Sequence, residues 1–319
     1  MQTNPDSIPL VLVNLGTIPR YLKANLRYLG EAFPNRKKVF ISDRTDERWL
    51  NKSGFDLVNS ATLIQEWPQH FMVSDRRQFF RNNFWFTSKA RLMLLPKFMK
   101  NAGLNRILHL ENDVWISPKF PFHYFDELDA PLALPKVDNE RGIASTLFIN
   151  GKAGIDLLEK ACDIWPNFTD MEILGKILNS KLSVFELAST HNIEDAVQSS
   201  WLFDGAKLGM FLFGTDPRNS KGVIKRFTRS PLGGLDHDQK IIVYDGQILL
   251  QSKDYEFNIV SLHIHSKDRK IFGKQWESVL KKQLWKERLG IKFGFNWRAF
   301  WTSIYEVAMR GARKLRSVR

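Results

Sequence analysis

Two carboxylates, Glu111 and Asp113, close an apolar run in Arg106-Ile-Leu-His-Leu-Glu-Asn-Asp-Val-Trp-Ile116. In extended backbone, residues two apart point to the same side, so the pair could act on one object. Carboxylate oxygens are hard ligands that suit Mg²⁺ or Mn²⁺, and such an ion can also hold a diphosphate. Taken alone, Glu-Asn-Asp is also a common polar turn after a strand.

Other residues add to the chemistry. Ile259-Val-Ser-Leu-His-Ile-His-Ser-Lys267 alternates, so a strand there would turn Val260, Leu262 and Ile264 to the core. Ser261, His263, His265 and Lys267 would share its other face, as a metal or diphosphate site or as a solvated face. Thr169-Asp-Met-Glu172 is a capping box, which puts Asp170 in a helical first turn. There it could serve the helix dipole or face a cleft. Lys89 and Arg91 fall near the start of a helix expected over 85–102, capped at Thr87 or Ser88 and bent at Pro96. They could meet phosphates or lie solvated. Residues 203–222 are rich in Gly and Phe and carry Asp204, Asp216 and Arg218. This segment reads as tight turns that line a substrate site or pack as an Ω-loop.

The elements that must position these groups are those of an α/β chain. Residues 8–15 form a buried strand, 20–33 a helix with Leu22, Leu26 and Leu29 on one face, and 38–43 a second strand ending at Asp43. That strand–helix–strand start predicts a parallel sheet. The helix over 85–102 feeds the strand at Ile107, so the carboxylates would end a parallel strand, where open α/β sheets bind ligands. Strands at 130–135 and 145–150 and helices at 152–162 and 169–178 follow. Residues 44–84 show no clear pattern.

With 319 residues, 43% of them hydrophobic, the chain can build a large core. A single cysteine, Cys162, excludes an internal disulfide framework and suits a reducing compartment. Met1–Ser7 lacks a basic, apolar leader pattern, and no run of apolar residues is long enough to span a bilayer. The net charge of +13 is uneven: residues 281–319 hold eleven Lys or Arg against two acids, a net +9, which leaves +4 for the first 280. The expected division is therefore a catalytic domain over 1–280 and a basic tail over 281–319.

In this order, the parts resemble metal-dependent glycosyltransferases of the GT-A fold, and those of bacterial capsule or lipopolysaccharide synthesis in particular. The matching pieces are Pro9–Gly16, Asp43, Lys89 and Arg91, Glu111-Asn112-Asp113, Thr169-Asp170-Met171 and His263–Lys267. The resemblance implies a Rossmann-like mixed sheet flanked by helices. It implies transfer of a sugar from a nucleotide sugar, a UDP-sugar foremost, to a glycan or lipid-linked acceptor. Glu111 and Asp113, with His263 or His265, would hold Mn²⁺ or Mg²⁺. Asn14, Gly16 and Asp43 would meet the nucleotide, and Lys89, Arg91, Glu111 and Lys267 its phosphates and metal. Asp170 would sit at the sugar, holding a hydroxyl or acting as base. The late histidine is a feature of retaining members, so retention is the expected outcome. Two departures stand out: Glu occupies the first position of the Asp-x-Asp motif, and the late motif is compressed to His-x-His-x-Lys.

A sugar-phosphate nucleotidyltransferase is the nearest rival, but the segment 14–20 has a single glycine where that class has a glycine-rich loop. A metal-dependent hydrolase would need a denser His/Asp cluster. A non-catalytic basic protein that binds membrane or nucleic acid would explain the tail and leave the strand-end carboxylates without a role. In that tail, residues 296–315 can form a helix with Trp297, Phe300, Trp301, Ile304 and Val307 on one face and Arg298, Arg310, Arg313 and Lys314 mostly off it. This pattern suits a helix lying in an anionic membrane surface, one bound to nucleic acid, or one packed by its aromatic face on the catalytic domain, and the resemblance favours the membrane because it implies a lipid-linked acceptor. The expected location is cytoplasmic, peripheral to the inner face of the membrane.

Overall fold

The computed structural model describes residues 8–44, 49–65, 84–180, 184–193, 199–214, 239–266 and 268–293. A seven-stranded sheet forms its centre, in the order β3-β2-β1-β4-β7-β6-β8. These strands are β1 (Leu10–Asn14), β2 (Lys38–Ser42), β3 (Asp56–Asn59), β4 (Arg106–Leu110), β6 (Leu132–Leu134), β7 (Thr146–Asn150) and β8 (Phe185–Glu186). Strands β1 to β4 run parallel, while β7 is antiparallel to both of its neighbours, β4 and β6. The arrangement is the expected α/β class, a Rossmann-like mixed sheet between helices.

Residues of β1 alternate between two cores, as strand geometry requires. Leu10 and Leu12 join Leu108, Leu110 and the buried face of helix α1 (Arg20–Ala32), where Leu22, Leu26 and Leu29 lie. Val11 and Val13 join Ile107 and the opposite layer, made by α2 (Phe84–Ala102), α4 (Gly151–Ile164) and α5 (Asp170–Leu178). Both faces of β1 are covered, which explains its continuous apolar run. Each buried Leu or Val contributes about 1.5–3 kcal/mol. That apolar frame can carry a cluster of buried charge at its edge.

The chain leaves β1 through α1 to β2 on one side, then returns through α2 to β4 on the other. The carboxyl ends of β1 and β4 therefore flank a topological switch point, where open α/β sheets form their ligand crevice. Beyond β4 the chain changes sheets. β5 (Val114–Ile116) pairs with β12 (Glu256–His263) in a second sheet, which also holds β9 (Trp201–Phe203), β10 (Lys240–Tyr244) and β11 (Gln247–Gln251). A short helix, α3 (Phe122–Asp126), follows β5. Helix α6 (Lys207–Phe213) follows β9, and α7 (Trp276–Phe293) runs through the expected boundary at 280. The expected amphipathic helix at 296–315 lies outside the described residues, as do Lys267, Asp216 and Arg218. No helix among the described residues is long and apolar enough to cross a membrane.

Four local expectations are corrected. Helix α2 begins by Phe84, not at a cap on Thr87 or Ser88: the Thr87 hydroxyl donates to the Phe84 carbonyl inside the helix, at 2.9 Å. Lys89 and Arg91 thus lie one turn deeper than expected. The late strand stops at His263, where His265 N–H folds back onto the His263 carbonyl at 3.0 Å. Neither of its faces is solvated, since Ser261 and His263 are buried along with Val260 and Leu262. Residues 203–213 are a strand end and a helix rather than a chain of turns, with glycines placed where α6 meets its neighbours closely. In the unplaced stretch, β3 adds an edge strand to the large sheet.

Helix α5 sits on the loop before β7 without a gap. A Cβ at Gly175 would lie 1.8 Å from the Glu140 carbonyl oxygen and 2.8 Å from Arg141 Cα, and backbone cannot yield as a side-chain tip can. We expect Gly175→Ala to lower stability by about 1–3 kcal/mol in denaturant unfolding. Unchanged stability would show that α5 is free to lift from this loop.

Candidate active site

Glu111 and Asp113 end β4 at the switch point, but not in extended backbone as expected. Residues 111–113 turn, closed by Val114 N–H to the Glu111 carbonyl at 3.1 Å. The turn is clamped from α1, where Asn25 Nδ2 donates to the carbonyls of Asn112 (3.1 Å) and Val114 (3.0 Å). Tyr28, one turn on, donates its hydroxyl to the Ile116 carbonyl at 2.6 Å. From the other side, Ile264 N–H donates to the Asp113 carbonyl at 2.8 Å. Backbone and buried amide thus hold the acidic turn before any ligand arrives.

The turn brings Glu111, Asp113 and His263 together, with one ligand atom of each lying within 4.8 Å of the others. All three are buried. His263 Nε2 lies 3.2 Å from Asp113 Oδ2 and 3.3 Å from Glu111 Oε2. The other ring nitrogen, Nδ1, is 3.0 Å from the Gly205 carbonyl oxygen. A carbonyl can only accept, so Nδ1 carries a proton, and in the neutral ring the Nε2 lone pair then faces two carboxylates. Acceptors do not converge without a positive charge between them. A proton on Nε2 or a divalent cation meets that need, and one imidazole with two carboxylates is a donor set that suits Mn²⁺. These residues fit the implied metal. His265 lies outside the trio and stacks on the His263 ring, with centroids 4.0 Å apart.

Arg91 meets the remaining charge. Its Nη2 donates to Asp170 Oδ2 and pairs with Glu111 Oε1, each at 2.6 Å, and its Nε donates to the Ser88 carbonyl. Burial raises the pKa of Glu111, yet the Arg91 guanidinium outweighs it and holds the carboxyl down at about 2. Burial, with help from Glu111, pushes the Asp170 carboxyl above its ordinary range against the pull of Arg91. Asp170 sits on the first turn of α5, behind an intact Thr169–Glu172 capping box. Its second oxygen, Oδ1, is buried with no hydrogen-bond partner among the described residues. Lys89 is fully buried, and its ammonium donates to the Pro166 carbonyl in the segment that leads to α5.

The residues expected to meet a nucleotide, Asn14, Gly16 and Asp43, lie at the ends of β1 and β2. Gly16 takes a left-handed φ of +80°, and its N–H donates to both oxygens of the exposed Asp43 carboxylate, at 2.8 and 3.0 Å. Asn14 accepts from Asn112 Nδ2 at 3.3 Å, which joins the ends of β1 and β4 across the switch point.

Two positioning residues were not expected. Asn25 is a polar residue inside the Leu22–Leu29 stripe, and that break in periodicity was its signal. His109 lies in the middle of buried β4 with Nδ1 at 3.0 Å from the Val11 carbonyl. Burial, then the nearby Arg91, lowers its pKa to about 3, so it stays neutral beside the charged cluster.

No protein-family model matches the chain, and no curated protein matches it. Solved structures with a similar backbone include the galactosyltransferase LgtC in complex with donor and acceptor sugar analogues, at a TM-score of 0.36 and 17% sequence identity over 59% of this chain and 78% of that one. The glycosyltransferase GlyE of Streptococcus pneumoniae gives 0.37 and 17% over 56% of this chain and 45% of that one. A cytidylyltransferase from Leptospira borgpetersenii gives 0.34 and 13% over 56% and 74%.

Arg91→Met removes the positive charge between two buried carboxylates while nearly preserving volume. We expect a stability loss of about 3–5 kcal/mol near neutral pH, read by denaturant unfolding. The deficit should shrink as pH falls, because protonating Glu111 or Asp170 removes an uncompensated buried charge. A deficit independent of pH would mean that packing, not charge, is what Arg91 supplies.

Proposed function

We propose that this chain is a divalent-metal-dependent glycosyltransferase that moves a sugar from a nucleotide-sugar donor, a UDP-sugar foremost, to a glycan or lipid-linked acceptor. The observation that carries the reading is the convergence of Glu111, Asp113 and the Nε2 lone pair of His263 at the ligand crevice of the sheet. The resemblance of the motif order to GT-A glycosyltransferases, read from the sequence, points the same way.

Glu111 Oε2, Asp113 and His263 would hold Mn²⁺ or Mg²⁺, which when bound supplies a Lewis acid for the charge that grows on a leaving diphosphate. The remaining roles belong to the chain. The fixed turn at 111–113 sets where the diphosphate lies, and Asn14, Gly16 and Asp43 offer polar groups on its nucleotide side. Arg91 anchors Asp170 through Oδ2, and the resemblance puts Asp170 at the donor sugar. Lys267 joins the reading from sequence alone. Retention of anomeric configuration and the Lys/Arg-rich tail as an anchor on the cytoplasmic membrane face are parts of the same proposal.

Incubating the protein with UDP-sugars and Mn²⁺ should release UDP, while a nucleotidyltransferase would instead release pyrophosphate from a nucleoside triphosphate and a sugar phosphate. Asp113→Ala should cut UDP release on the order of 100-fold. Asp170→Asn should lower kcat with little change in nucleotide affinity, the pattern of an interaction felt mainly in the transition state. Metal-independent turnover by Asp113→Ala at the parental rate would defeat the metal reading.

For the tail, the full chain should float with anionic liposomes at low salt, and a chain ending at residue 293 should not. Equal flotation of the two would remove the tail as anchor.

A further inference from the structure

Asp204 is fully buried, so of the two readings of its segment, a substrate lining or an internally packed loop, its burial favours the internal one. It stands between β9 and α6 and makes contacts in every direction. Oδ1 accepts the Leu208 N–H at 3.0 Å. Oδ2 accepts the N–H of Gly209 at 2.7 Å and that of His263 at 3.0 Å. The Asp204 N–H donates to Ser261 Oγ at 3.2 Å, and its carbonyl accepts from Ser145 Oγ at 3.1 Å. The next residue, Gly205, supplies the carbonyl that fixes His263 Nδ1. Consecutive residues thus hold His263 at both its backbone N–H and its ring. The Ser145 carbonyl meets the Glu111 N–H at 3.4 Å, so the same knot reaches the acidic turn.

The glycines show how tight the knot is. A Cβ at Gly205 would lie 2.6 Å from the Lys136 carbonyl oxygen, and one at Gly209 would lie 1.9 Å from the His263 carbonyl oxygen. Helix α6 therefore rests directly on the end of β12, close enough for one short carboxylate to bridge them. A side chain at position 209 would also crowd Asp204, since a Cβ there would lie 3.0 Å from Asp204 Oδ2.

We infer that Asp204 is the positioning residue that sets the tautomer and direction of the His263 imidazole, and through it the cation affinity of the Glu111–Asp113–His263 site. The cation part rests on the metal reading above; the tautomer part stands without it. Groups that orient a metal-ligating imidazole typically change metal affinity by about 10–100-fold when removed.

The test uses the full chain and Mn²⁺. Asp204→Asn keeps the shape but confronts N–H groups with an amide NH₂ in place of an acceptor. Its Mn²⁺ dissociation constant, read from the EPR signal of free Mn²⁺, should rise about 10–100-fold. In a His263→Ala background the same substitution should add nothing, because the group it positions is gone. A metal-free readout is the long-range ¹H–¹⁵N spectrum of the histidine rings at a fixed pH above the imidazole range, with His263 assigned by its loss in His263→Ala. The parent should show Nδ1 protonated and Nε2 bare, and Asp204→Asn should mix the tautomers. Ser261→Ala, which removes only the acceptor for the Asp204 N–H, should shift both readouts less in the same direction, and it decides the matter if Asp204→Asn does not fold.

A variant that melts earlier yet keeps parental Mn²⁺ affinity and ring tautomer would reduce Asp204 to a helix cap and overturn the inference. An equal loss in the His263→Ala background would also overturn it. If the parent binds no Mn²⁺, the metal reading falls and the ring spectrum alone decides: an unchanged tautomer overturns the positioning role, and a mixed one supports it.

Discussion

Buried negative charge at the end of one strand governs the rest of this structure. Glu111, Asp113 and Asp170 are all nearly out of water, and a carboxylate so placed must be met by positive charge or give up its ionised form. Arg91 meets two of the three with one guanidinium, through paired contacts of 2.6 Å. Asp113 faces the imidazole of His263, whose Nδ1 is held by the Gly205 carbonyl. Glu111, Asp113 and His263 form a group that could hold a cation, and the neighbouring elements are fastened so that this group keeps its shape.

The fastening explains the change of sheets after β4. Had the chain continued as one strand, Glu111 and Asp113 would have stayed in the ladder of the large sheet. Instead it turns, and β5 joins the second sheet beside β12, which brings His263 to the turn. Three segments far apart in sequence meet there: α1 through Asn25, the strand end through Ile264, and the β9–α6 corner through Asp204 and Gly205. Each contact uses backbone groups that would otherwise be buried without partners, so the clamp also satisfies the hydrogen bonds of the chain's sheet-crossing point.

The sharing of Glu111 has a chemical consequence. With Oε1 occupied by Arg91, only Oε2 faces His263. Arg91 thereby couples Glu111 to Asp170, which starts a helix from the opposite core layer. A change in charge at one is felt at the other through a single planar group. The low pKa of Glu111 and the raised pKa of Asp170 are two sides of that arrangement: the site keeps one carboxylate strongly ionised and the other less so.

Much of this was legible in the chain. Alternating and continuous apolar runs marked β1, β2, β4 and β7, because a strand covered on both faces is mostly apolar on both. The capping box at Thr169–Glu172 and the carboxylates after β4 were equally local. Asn25 was legible in principle, as a polar interruption of an apolar stripe. Other features were decided only in three dimensions. Local periodicity carried the late strand on to Lys267, whereas the pairing of β12 with β5 ends it at His263 and separates the two histidines. Composition made residues 203–213 look like turns, since glycine signals loops and close helix packing alike. Asp204 read equally as a substrate contact or as part of an internally packed segment, and its burial decides for the second. A side chain's burial depends on which distant segment lands on it, and that is set by packing of the whole chain rather than by spacing along it.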